Sequence, residues 1–209
     1  MILESITDAP LPYLLFEPSS AQPAPLVLFL HGAGERGHDL GLVATQGLPA
    51  VLLKHGPFPE PVRVIAPQCP ADSWWTLELA ALRDLLDDAL ARYPSDPTRL
   101  YLTGLSMGGY GSWHLAQQHP ERFAALVPIC GGGIPPLAGR LKGLPIWAFH
   151  GDQDEVVPLS VSQVMVEAVN AAGGSARLTV YSGVGHDSWS GAYAEPELYR
   201  WLLSHRRGT

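Results

Sequence analysis

The run Pro25-Leu26-Val27-Leu28-Phe29-Leu30 contains no polar residue. A strand with one wet face alternates polar and apolar side chains, so an unbroken apolar run must be covered on both faces. That is the situation of a central strand in a parallel sheet. The run ends in His31-Gly32-Ala33-Gly34, where the glycines let the chain turn. Similar apolar runs recur at residues 62–66, 100–103, 125–129 and 146–149. Tyr13-Leu14-Leu15-Phe16 supplies an opening strand, and Ala176-Arg177-Leu178-Thr179-Val180-Tyr181, which alternates, belongs nearer a sheet edge.

Helical periodicity fills the gaps. Leu82, Leu85, Leu86, Ala89, Leu90 and Tyr93 recur at three-and-four spacing, with Arg83, Asp84, Asp87 and Asp88 largely opposite and Pro94 as the stop. Val161, Val164, Met165, Ala168 and Val169 repeat the arrangement before Gly173-Gly174. A third helix is predicted over residues 107–119, halted by Pro120, and a fourth at the C-terminus through Leu198, Trp201 and Leu202. Residues 41–61 are irregular, with room for a short helix over the site. Strands alternating with helices imply an α/β fold, a mostly parallel sheet with helices on both faces, and binding at the carboxyl ends of the strands. Residues 1–209 are expected to form one catalytic domain.

Composition excludes several classes. Hydrophobic residues make up 46% and charged residues 16%, too apolar for a disordered chain. The formal net charge is -7, and no run of Lys or Arg offers nucleic acid a basic patch. No window approaches the ~20 apolar residues that span a bilayer. Met1-Ile2-Leu3-Glu4 has no signal-peptide pattern, so a cytoplasmic location is expected. Cys69 and Cys130 each follow a strand and are expected to be free thiols, with no zinc-binding CxxC pair.

Chemistry enters at Gly104-Leu105-Ser106-Met107-Gly108. GxSxG alone is weak, but here it falls between a strand and a helix. The turn is then so sharp that the serine is strained, glycines two positions either side relieve crowding, and the hydroxyl projects above the sheet. A serine hydroxyl needs a base to accept its proton. Hydrolases built on this turn place nucleophile, acid and histidine in that chain order. Of the late histidines, His205 reads as a solvated residue of the terminal helix. His186, in Gly183-Val184-Gly185-His186-Asp187-Ser188-Trp189, directly follows a strand and is the expected base. The acid must lie between, in His150-Gly151-Asp152-Gln153-Asp154, where residue types alone leave Asp152 and Asp154 as equals. Asp187 is adjacent to His186, and neighbouring loop side chains diverge. His31 and His150 read as buried histidines that hold loops. An oxyanion needs two donors; Met107 N–H and Ala33 N–H are the candidates. Trp74, Trp75 and Trp189 offer aromatic surface for a substrate, with Trp75 and Trp189 taken as the binding pair.

Taken together, His31-Gly32-Ala33-Gly34-Glu35-Arg36-Gly37, Gly104-Leu105-Ser106-Met107-Gly108-Gly109, Gly151-Asp152-Gln153-Asp154 with Val157-Pro158, and Gly185-His186-Asp187 resemble the compact carboxylesterases of the α/β-hydrolase superfamily. That group includes phospholipase/carboxylesterase and acyl-protein thioesterase relatives, dienelactone hydrolases, and esterases related to feruloyl esterases and polyhydroxybutyrate depolymerases. The resemblance runs from about residue 26 to the end. It implies Asp154 as the acid and metal-independent hydrolysis without cofactor through an acyl-enzyme; the chain is short for this fold, which leaves room for little or no cap domain. The chain departs from dienelactone hydrolases in placing Ser106 where they use cysteine. The expected activity is a serine carboxylesterase acting on small short-chain acyl or aryl esters. An acyl thioesterase, a peptidase or amidase, and a catalytically silent binding module are the alternatives.

Overall fold

A computed structural model describes residues 2–19 and 22–208. Eight strands form one sheet in the order β1-β2-β4-β3-β5-β6-β7-β8. They are β1 (Ile2–Ile6), β2 (Tyr13–Glu17), β3 (Ala24–Leu30), β4 (Arg63–Pro67), β5 (Ser95–Leu105), β6 (Ala125–Ile129), β7 (Ile146–Gly151) and β8 (Ala176–Tyr181). From β4 across to β8 every neighbouring pair is parallel. Only β1 and β2 run against their neighbours. This is the α/β-hydrolase arrangement.

The apolar runs sit where two-sided burial demands. On β3, Leu26, Leu28 and Leu30 face one core while Val27 and Phe29 face the other, and all are fully buried. The first core is covered by α2 (Leu79–Arg92), α3 (Met107–Gln118) and α4 (Ser160–Ala171). The second is covered by α1 (Gly47–Lys54), α5 (Trp189–Ala194) and α6 (Pro196–Ser204). The irregular stretch 41–61 thus contains α1, whose Leu48 and Leu52 are buried. Between β3 and α1 the chain makes only two short 3-10 turns, Ala33–Glu35 and Leu40–Ala44.

β8 is an edge strand, as its alternation implied. β1 was not anticipated. Its Leu3, Glu4 and Ser5 are exposed, so it carries no burial pattern, and it is held by its antiparallel ladder to β2 from Ile2↔Glu17 to Ile6↔Tyr13. Cys69 and Cys130 are fully buried and unpaired. Among the described residues, no helix is long and apolar enough to cross a membrane.

Candidate active site

β5 passes straight into α3 through Ser106, whose φ of 53° and ψ of -117° lie where a side chain is strained. The surroundings impose that conformation. Ser106 N–H donates to Ile129 O on β6 (2.9 Å), and Ser106 O accepts from Tyr110 N in the first turn of α3 (3.0 Å). The helix lies so close to the sheet that side chains are excluded beside it. A Cβ on Gly104 would stand 2.4 Å from Gly108 O, and one on Gly108 would stand 1.9 Å from Leu30 O.

Ser106 Oγ is 2.9 Å from His186 Nε2, and His186 Nδ1 is 2.7 Å from Asp154 Oδ2. The carboxylate can only accept, so Nδ1 carries the ring proton and Nε2 turns its lone pair to the serine hydroxyl. Asp154 is itself fixed, Oδ1 accepting from Val156 N (2.9 Å) and Val157 N (2.8 Å). Burial works to raise its pKa, but the bonds from His186, Val157 and Val156 outweigh it and hold the carboxyl below its ordinary value. Asp152 turns elsewhere, accepting from Gly183 N (2.8 Å). Asp187 bonds Ser190 N (3.0 Å) and Ser190 Oγ (2.9 Å) at the start of α5. The structure therefore brings Asp154, and neither of its rivals, to His186.

His31 and His150 brace this frame. His31 Nε2 accepts from Cys69 N–H (3.0 Å), so its Nδ1–H donates to Gly32 O (2.6 Å). Burial is the main reason its pKa is pushed down to about 4. His150 Nε2 donates to Val157 O (2.8 Å) and lies 3.2 Å from Asp154 Oδ2. His205 departs from expectation. It lies just beyond α6, partly buried, its ring 4.6 Å from that of Trp201, and desolvation lowers its pKa.

The loop after β3 closes over the serine from the other strand. A Cβ on Gly32 would stand 3.8 Å from Ser106 Cβ, and Ala33 follows it as the first residue of the 3-10 turn. Met107 opens α3, so its N–H has no carbonyl partner within the helix.

A cavity of about 220 Å³ adjoins, lined by Trp74, Trp75, Thr76, Met107 and Tyr110. Trp75 and Trp74 contribute to it differently. Trp75 lines the cavity while fully buried, its Nε1–H donating to His31 O (2.9 Å). Trp74 is 48% exposed and presents the accessible ring. Arg36 holds it there, its guanidinium 4.9 Å from the Trp74 ring centre and bonded to Ala33 O (3.0 Å) and Ser73 O (3.1 Å). Tyr110 was missed, although it stands one helical turn beyond Ser106, a spacing that puts both on one face. Trp189 packs edge-on to His186 at 5.3 Å and donates to Gln46 Oε1 (3.2 Å).

The model of the family described as "Dienelactone hydrolase family" matches residues 66–193. A putative esterase NocK from Nocardia uniformis subsp. tsuyamanensis is 29% identical over 155 residues, covering 68% of this chain and 43% of that protein. A poly(3-hydroxyoctanoate) depolymerase from Pseudomonas fluorescens is 32% identical over 130 residues, covering 51% of this chain and 45% of that one. The chain thus spans less than half the length of these curated relatives. A solved thermostable esterase superposes with a TM-score of 0.85 at 37% identity, covering 99% of this chain and 63% of that chain.

Proposed function

The chain belongs to the dienelactone hydrolase family, and on that footing we propose that it is a serine carboxylesterase for short-chain acyl or aryl esters, with residues 1–209 as one catalytic domain. The observation that carries the reading is the unbroken line of hydrogen bonds from Ser106 Oγ through His186 to Asp154.

Ser106 attacks the ester carbonyl carbon as His186 Nε2 takes its proton. Asp154 keeps the ring in the required tautomer and stabilises the imidazolium that forms. The N–H groups of Ala33 and Met107 receive the negative charge on the carbonyl oxygen. His186 then protonates the departing alkoxide, leaving an acyl-Ser106. Water, deprotonated by the same histidine, releases the acid and restores the serine. Trp74, Met107 and Tyr110 supply an apolar wall for the acyl or aryl group, and Trp189 flanks the histidine. A cavity of about 220 Å³ favours small groups over long chains.

The test is hydrolysis of p-nitrophenyl esters from acetate to decanoate. Wild type is expected to prefer the short esters, and Ser106→Ala to lose at least about a thousandfold in kcat. Folded wild type inert on every ester, or a mutant as active as wild type, would sink the proposal.

A further inference from the structure

Cys130 lies directly beyond β6 and has no part in the steps above. It is also the second non-glycine residue with a positive φ, at 40°. Its N–H donates to Phe149 O (2.9 Å), which ties it to the strand carrying Asp154's loop. Its sulfur, one Asp154 carboxylate oxygen and one His186 ring nitrogen all lie within 4.8 Å of one another. A second observation points the same way. Ser188 Oγ is fully buried within hydrogen-bonding reach of the thiol, and no other partner for it is found among the described residues.

We propose that Cys130, Asp154 and His186 form a capture site for a thiophilic divalent cation such as zinc or cadmium, and that filling it stops ester hydrolysis. One sulfur, one nitrogen and one oxygen ligand suit such an ion, and the Ser188 hydroxyl can serve as a fourth donor. Around zinc, ligand atoms stand roughly 3.3–3.7 Å apart, given bonds of about 2.0–2.3 Å. Asp154 Oδ2 and His186 Nδ1, now 2.7 Å apart, must open by roughly 0.5 Å to share the ion while the thiol closes on them, a movement a His186 ring 21% exposed can make. That exposure also gives the ion its way in. On binding, the thiol proton leaves to solvent and a metal–sulfur bond forms. Thiolate and carboxylate then balance the two positive charges, and nothing is oxidised or reduced.

Either mode of histidine ligation disables the base. If the ion takes Nδ1, the ring's single proton moves to Nε2, which then faces Ser106 with an N–H. If it takes Nε2, the lone pair is used. The loss of activity rests on the proposed catalytic roles, whereas the binding does not.

The experiment titrates the full chain with Cd²⁺ alone, following thiolate-to-cadmium charge-transfer absorption, and with Zn²⁺ alone, following p-nitrophenyl acetate hydrolysis. The band is expected in wild type, Ser106→Ala and Cys69→Ser, and lost in Cys130→Ser. Zinc inhibition should reverse with EDTA. Its midpoint should rise about ten- to a hundredfold in Cys130→Ser, or in Cys130→Ala if the serine variant fails to fold. A wild type without the band, a band lost in Cys69→Ser, or equal zinc inhibition in a folded Cys130 variant overturns the proposal. A band on a chain that hydrolyses no ester keeps the site and overturns the esterase reading instead.

Discussion

Asp152 and Asp154 show what single residues disclose and what they withhold. As letters they are equivalent, two apart in the same loop, and only a likeness to known esterases separated them. What distinguishes them physically is the backbone. Val156 and Val157 turn their N–H groups onto Asp154 Oδ1, which leaves Oδ2 for His186. No sequence pattern encodes that orientation. Asp154→Asn is expected to lower kcat by about 10⁴, because the amide disturbs the tautomer His186 needs. Asp152→Asn should stay within a few-fold of wild type in the same ester assay, since Asp152 bonds only a turn. A large loss in the second variant and none in the first would reverse the assignment. The serine was legible because its neighbours must be glycine for steric reasons. Trp74 and Trp75 were not, since which of two adjacent rings points inward depends on how the loop is phased against the sheet.

The elements were the most readable level, because period and burial are the same fact seen twice. Leu82, Leu85, Leu86 and Ala89 face the core, as their spacing required. β1 escaped because an exposed edge strand needs only a partner's hydrogen bonds, which any residues can supply. The junction of β5 and α3 makes a sharper claim. The near-contact of Gly108 with Leu30 O leaves no room for a methyl group, so Gly108→Ala must push α3 off β3. It should cost more than about 3 kcal/mol, read from the urea midpoint. Gly34→Ala, with nothing within 4 Å of the new carbon and no positive φ, should stay within about 0.5 kcal/mol. Equal effects from the two would mean that the close approach of helix to sheet is not maintained in solution.

At the scale of the whole molecule, the buried His31 couples folding to acidity. An unfolded chain binds a proton there near pH 6.5, while the folded one resists until about 4. Between those values the unfolded state holds more protons, so stability falls as pH falls through the window. The total loss is roughly 3 kcal/mol. His205, also depressed by burial, adds in the same direction. Urea unfolding at several pH values from 7 to 4 should show this decline, and His31→Gln should flatten it. An unchanged slope in the variant would remove His31 from the account. Ser106 sets a different tension between working and lasting. Its backbone, held at φ 53°, is tolerable to glycine but strained for any residue with a Cβ. Ser106→Ala keeps that strain and Ser106→Gly releases it, so the glycine variant should outlast the alanine variant by about 1 kcal/mol. Both would be inactive. A lineage released from selection for catalysis would then drift toward glycine here and gain heat resistance as it did so.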